Sequence, residues 1–237
     1  MSVEEMRQFY EKFDNKGAEA SKGSGKPLAG ARTLAVCHLG VARQSYKSRV
    51  NYSEIPIDFA PTPWPCKIGM SSCPGWRLGV TSQEEVLLAD IECLVRHGIH
   101  TVISLLATDE LERMGAKNLS HHLGLHDIGW HQLPVEDFGV PTLTVTAQWC
   151  DMMPELTSTL QSGPILVHCA HGKGRTGTMV ATLFKAWGWR SEESIAWVRQ
   201  YRNGAIENLK QEAYVEAFRP PFPGLKRAFT NDGKSNF

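Results

Sequence analysis

Residues 164–177, Pro-Ile-Leu-Val-His-Cys-Ala-His-Gly-Lys-Gly-Arg-Thr-Gly, constrain this chain more than any other stretch. The apolar run Ile165-Leu166-Val167 reads as a buried strand, and a helical pattern follows from Thr176 to about Trp187. Gly172, Gly174 and Gly177 mark a tight turn between them. A strand that enters a helix through such a turn aims successive backbone N–H groups, and the positive end of the helix dipole, at one point. Cys169 sits at that point, six positions before Arg175. Helix N-termini and nearby cations favour the thiolate, so the spacing predicts an ionised sulfur. The same donors suit a phosphate, with Arg175 able to grip two of its oxygens. A nucleophile and an anion seat in one loop point to covalent phosphoryl transfer through a cysteinyl-phosphate.

Around this loop the chain alternates strand and helix patterns. Thr81-Ser82-Gln83-Glu84-Glu85 opens a helix whose buried face is Val86, Leu87, Ile91, Leu94 and Val95, with Gly98 ending it. Thr101–Leu106 and Asp127–Leu133 read as strands, with short helices at Asp109–Met114 and Lys117–Leu123 between them. A longer helix starts at Thr142 or Thr144 and runs to Leu160, interrupted or kinked near Pro154. Further helices cover 191–201, capped by Ser191, and Asn208–Phe218. Residues 51–79, rich in Pro, Gly and Cys, are expected to lie as an irregular cover. The fold class is therefore α/β: a central, mostly parallel sheet with helices on both faces and a ligand beyond the strand C-termini. Residues 1–30 read as a flexible extension containing a helix candidate, Ser2–Phe13. Residues 31–219 form a single domain that begins with an edge-strand candidate at Thr33–His38, and 220–237 form a tail.

Composition removes several function classes. Lys and Arg number 25 and Asp and Glu also 25, so no global field recruits nucleic acid or an anionic membrane. No apolar run approaches the ~18 residues of a transmembrane segment, and the N-terminus has no signal-peptide core. The six cysteines (37, 66, 73, 93, 150 and 169) form no C-x-x-C pair. With one of them a working thiolate, a reducing cytoplasm is expected rather than a disulfide framework. Cys66 and Cys73 lack the partner set of a zinc site, so no metal and no cofactor are expected. The glycines also spell G-x-G-x-x-G. A dinucleotide site needs an acidic residue at a strand end about 20 residues on, whereas Glu192 and Glu193 fall at a helix start.

His168 to Thr176 resembles the signature H-C-x5-R-[ST] of the cysteine-dependent protein tyrosine and dual-specificity phosphatases. Pro134-Val135-Glu136-Asp137-Phe138-Gly139-Val140-Pro141 resembles the general-acid loop of the compact dual-specificity members. Residues 204–214 are similar to the cyclin-dependent kinase inhibitor 3, or kinase-associated phosphatase, branch, with a weaker echo at Cys73–Arg77. The likeness spans roughly residues 55–218.

The resemblance implies that Cys169 attacks phosphorus while Arg175 and the main chain of Ala170, His171, Gly172, Lys173 and Gly174 hold the phosphoryl oxygens. Thr176 donates to the sulfur or serves only as a helix N-terminal hydroxyl, and His168 orders the loop. Asp137 is general acid and then base, with Glu136 its competitor, and Gln211 positions water or supports a loop. The substrate implied is a phosphoprotein carrying phosphotyrosine, phosphoserine or phosphothreonine, a cyclin-dependent kinase among the candidates. Lys173 is similar to a lysine of lipid and inositol-phosphate phosphatases, which keeps phosphoinositides and inositol phosphates as the alternative substrates. Ala170 departs from the second lysine of the lipid enzymes, and Glu207 from a glutamine of the larger tyrosine-specific ones. A phosphate-binding module with little catalysis is the remaining reading. Redox control by a second cysteine, such as Cys93 or Cys150, is left open, as is oligomeric state.

Overall fold

Short β-branched and aliphatic runs, covered on both sides, build the centre of this protein. Its structure, a computed structural model, describes residues 54–79 and 82–220. The candidate N-terminal helix, the strand candidate at 33–38, the boundary at residue 30 and the tail after residue 220 lie outside the described residues. Five strands form one sheet: β1 (Asp58–Ala60), β2 (Ile68–Ser71), β3 (Thr101–Ser104), β4 (Gly129–Gln132) and β5 (Ile165–His168). Their order is β1-β2-β5-β3-β4, with β1 antiparallel to β2 and every other pair parallel. All residues of β2, β3 and β5 are buried. The register sets Ser71, His168, Ser104 and Gln132 side by side at the C-terminal edge.

Seven helices cover the sheet among the described residues: α1 (Gln83–Arg96), α2 (Thr108–Arg113), α3 (Leu119–Gly124), α4 (Leu143–Thr159), α5 (Gly174–Ala186), α6 (Ser191–Tyr201) and α7 (Leu209–Ala217). None is long and apolar enough to cross a membrane. Helix α5 is buried along its whole length. It packs on β2, β5, α6 and α7, and Trp149 of α4 donates its indole N–H to Thr182 at 2.9 Å. Each large apolar side chain so enclosed contributes roughly 1.5–3 kcal/mol. The ammonium of Lys185 donates to the carbonyls of Val215 and Glu216, at 2.6 and 3.0 Å, and closes the C-terminus of α7 against α5.

The α/β class and the mostly parallel sheet are as expected from the sequence; several details differ. Residues 51–79 are not merely an irregular cover, since β1 and the wholly buried β2 lie within them. Val95 is 43% exposed, and the buried face of α1 instead includes Asp90 and Cys93. Helix α4 runs unbroken through Pro154, starting from Thr142, whose hydroxyl accepts the Val145 N–H. Helix α6 is capped from Arg190 rather than Ser191, with the Glu193 carboxylate accepting the Arg190 N–H.

Candidate active site

Strand β5 ends at His168, and the chain turns through 169–173 before α5 begins at Gly174. Gly172 has φ = 71°, and a Cβ there would strike the Ser71 carbonyl of β2. Only glycine fits such a close, left-handed approach. Arg202, just past α6, holds the outer side of the turn: Nε donates to Gly172 O at 3.0 Å and Nη2 to His171 O at 2.8 Å. Its Nη1 pairs with Asp58 of β1 at 2.7 Å. Cys169 is buried, and its sulfur accepts the Gly172 N–H at 3.2 Å. His171 and Lys173 are exposed at the rim, where Trp76 meets the His171 ring edge-on at 5.0 Å.

Arg175 is only 2% exposed. Its Nη1 donates to both Glu110 oxygens, at 2.9 and 3.2 Å, and to Val135 O at 3.0 Å. Its Nη2 lies 3.0 Å from Asp137 Oδ1, off the line of a hydrogen bond, and is left as a buried donor with no hydrogen-bond partner. The hydroxyl of Thr176 is buried and unpartnered in the same way. Buried donors without a hydrogen bond are rare in a folded interior, and here two successive residues at the start of α5 each carry one.

Asp137 comes from the loop between β4 and α4, 61% exposed, with Phe138 after it at φ = 53°. The start of α7 fixes this loop: Asn208 Nδ2 donates to Phe138 O at 3.1 Å, and the fully buried Gln211 Nε2 donates to Gly139 O at 3.2 Å. Glu136 turns its carbonyl to Gly139 N at 2.8 Å and is itself exposed. On the far side, His168 Nε2 lies 2.6 Å from Ser104 Oγ, which also accepts the Trp130 indole N–H at 2.8 Å. Burial, aided by the Arg175 charge, pushes the His168 imidazole down to about 4, so it is neutral at pH 7.

The structure thus brings Cys169, Arg175, Thr176 and Asp137 together, keeps His168 and Gln211 just behind them, and leaves His171 and Lys173 at the mouth. The sequence pattern missed Glu110, Ser104, Trp130, Arg202 and Asn208. Glu110 was hidden by its second role, accepting the Ala107 N–H at the start of α2, a position that acidic residues favour for capping alone. Cys73 was also passed over as the sulfur near the turn. Its N–H donates to Ala170 O at 3.1 Å, and burial, then the nearby Cys169, pushes its thiol up.

The family model described as "Swiss Army Knife protein, DSP-PTPase phosphatase domain" matches residues 74–215. The chain belongs to the dual-specificity and protein tyrosine phosphatase family. Protein tyrosine phosphatase type IVA 3 of Homo sapiens is 29% identical to this phosphatase-family chain over 130 residues, covering 55% of it and 70% of the relative. Type IVA 2 of Mus musculus is 25% identical over 148 residues, covering 57% and 86%. Among solved structures, a kinase associated phosphatase whose catalytic-site cysteine is replaced by serine superimposes with a TM-score of 0.62 at 27% identity. That match covers 71% of this chain and 96% of that one.

Proposed function

We propose that residues 31–219 form a cysteine-dependent protein phosphatase domain in which Cys169 is the nucleophile. The observation that carries this reading is the buried Nη2 of Arg175, without a hydrogen bond and 3.0 Å from Asp137 Oδ1, on the helix that follows the turn holding the Cys169 sulfur. In the first step the sulfur of Cys169 attacks phosphorus and the P–O bond to the leaving group breaks. Asp137 gives its proton to the departing oxygen. In the second step a water attacks phosphorus, the P–S bond breaks and Asp137 takes the water's proton. Inorganic phosphate leaves and the thiolate is restored. Arg175 Nη2 and the amides of residues 170–175 hold the three equatorial oxygens, and the Thr176 hydroxyl stabilises the sulfur as it leaves. Preorganised donors of this kind supply the largest share of the rate. His168 and Gln211 support the two loops.

The substrate class we assign is a phosphoprotein, and the resemblance of residues 204–214 to the cyclin-dependent kinase inhibitor 3 branch makes a cyclin-dependent kinase the first to try. We place the reaction in the cytoplasm, where thiols stay reduced. Lys173 at the mouth supports inositol phosphates as the second substrate class. The test is a panel of phosphopeptides and inositol phosphates at equal concentration with and without chelator. Phosphopeptide hydrolysis that resists EDTA, stops with vanadate and vanishes in Cys169→Ser is expected. Chelator-sensitive turnover, or turnover that survives Cys169→Ser, would overturn the scheme.

A further inference from the structure

Glu207 lies directly on the phosphate loop, and its carboxylate Oε2 accepts the Gly174 N–H at 2.8 Å. Gly174 is the first residue of α5, so this amide is one of the free donors at the helix end that an incoming anion uses. The chain holds Glu207 there by several means. Ile206, buried and β-branched, is kept at φ = 57°, where such residues are genuine outliers. Arg199 of α6 binds the carbonyls of Ala205 and Ile206 at 3.2 and 3.0 Å. Gln211 Oε1 accepts the Glu207 N–H at 2.9 Å. A Cβ on Gly174 would collide with the Glu207 carboxylate and the Gln211 amide, so both lie close over the loop. Asp137 is followed by the other left-handed residue of the site that is not glycine, Phe138. Strained backbone therefore adjoins both carboxylates, and among the described residues no ion pair neutralises Glu207.

We propose that Glu207 is a specificity-determining residue: an internal anion that competes with phosphate for the N-terminal end of α5. The inference rests on the phosphatase reading above. An incoming phosphoryl group displaces the carboxylate from Gly174 and is then held next to its charge, which weakens anion binding. The penalty rises with ligand charge, so it falls hardest on inorganic phosphate and on polyphosphorylated ligands. It falls least on a phosphoprotein, whose remaining surface supplies other contacts. After hydrolysis, the return of the carboxylate to Gly174 favours departure of the product.

Glu207→Gln tests this, because the amide oxygen still accepts the Gly174 N–H while the charge is gone. Inhibition of p-nitrophenyl phosphate hydrolysis by inorganic phosphate is measured at low and high ionic strength, with inositol hexakisphosphate as a second inhibitor. The inhibition constant for phosphate is expected to fall roughly five- to tenfold at low salt, more for the hexakisphosphate, and the gap to narrow at high salt. An unchanged or higher constant, or a gap indifferent to salt, would overturn the proposal. Calorimetric titration of phosphate into wild type and variant reads the same difference without turnover. If neither protein hydrolyses the ester, the phosphatase reading fails, and the titration alone decides the role of Glu207. A phosphate-bound crystal of the wild type is expected to show the carboxylate parted from Gly174. A contact intact beside bound phosphate would refute the competition.

Discussion

Arg175 is held so that one terminal nitrogen is spent on the protein and the other faces the site. Glu110 and Val135 take Nη1, which fixes the guanidinium plane and leaves Nη2 beside Asp137, 3.0 Å from Oδ1. Removing the Glu110 charge from this buried pair should cost roughly 2–3 kcal/mol in transition-state binding, a tens- to hundredfold loss in kcat/KM. Steady-state kinetics of Glu110→Gln beside its thermal melt check this; a loss explained by unfolding would refute it. The Trp130 N–H donates to Ser104 Oγ, which keeps one lone pair and one hydrogen for His168 Nε2, 2.6 Å away. On the other side of the ring His168 Nδ1 lies 3.4 Å from Cys169 O, an acceptor for an Nδ1 proton. Trp130→Phe removes a donor that competes for the Ser104 oxygen, so the serine accepts more strongly from a protonated imidazole and the His168 titration should move upward from about 4. Two-dimensional ¹⁵N NMR of the ring would show it, and a midpoint that does not move would mean burial alone sets the value. Cys169 and Arg175 were legible because their spacing is itself the chemistry. Ser104 and Glu110 were not, because a serine in a strand and an acid in a helix's first turn look ordinary until packing aims them.

At the scale of elements, the start of α7 acts as a latch on the loop carrying Asp137. Gln211 joins three segments: its Nε2 donates to Gly139 O, its Oε1 accepts the Glu207 N–H, and its own N–H donates to Asn208 Oδ1. Gln211→Ala removes two of these contacts and opens a cavity in a fully buried position. It should destabilise the protein by about 2–4 kcal/mol and lower kcat more than affinity for vanadate, since the acid loop loosens while the anion seat remains. Urea titration and vanadate inhibition separate the two effects. The milder Asn208→Ala, which also removes the side-chain cap of α7, should lower kcat at a stability cost of about 0.5–2 kcal/mol. Equal loss of kcat and vanadate affinity in both variants would argue against a latch. Helices α1, α4, α5 and α6 were readable because their apolar residues recur at helical spacing over several turns. Strand β2 was not. Gly69 sits in its middle because a side chain would meet Ile57, Phe59 and Leu166, and nearby prolines and cysteines imitate a loop.

For the molecule as a whole, His168 makes stability depend on pH. Its folded pKa, about 4, lies below the ordinary value of 6.5, so the unfolded chain binds the proton more readily between those values. The stabilisation is present in full above about 6.5 and lost as pH falls toward 4, a term on the order of 3 kcal/mol. Burial raises the Asp90 carboxyl, which tilts the curve the other way over its own range, so the difference between wild type and His168→Gln isolates the histidine. Urea midpoints from pH 4.5 to 7.5 should rise with pH more steeply in the wild type. Parallel curves would contradict a neutral buried imidazole.

The strand that carries the nucleophile is the last of the five in the chain yet lies in the middle of the sheet. Until residues 165–168 are synthesised and inserted, β2 and β3 each present a bare hydrogen-bonding edge separated by an open seam. Such edges recruit other chains. A polypeptide halted before residue 165 should therefore aggregate rather than wait, and the intact protein should need protection on the ribosome until its own keystone arrives. Light scattering of a 54–164 fragment beside the full chain would reveal the difference.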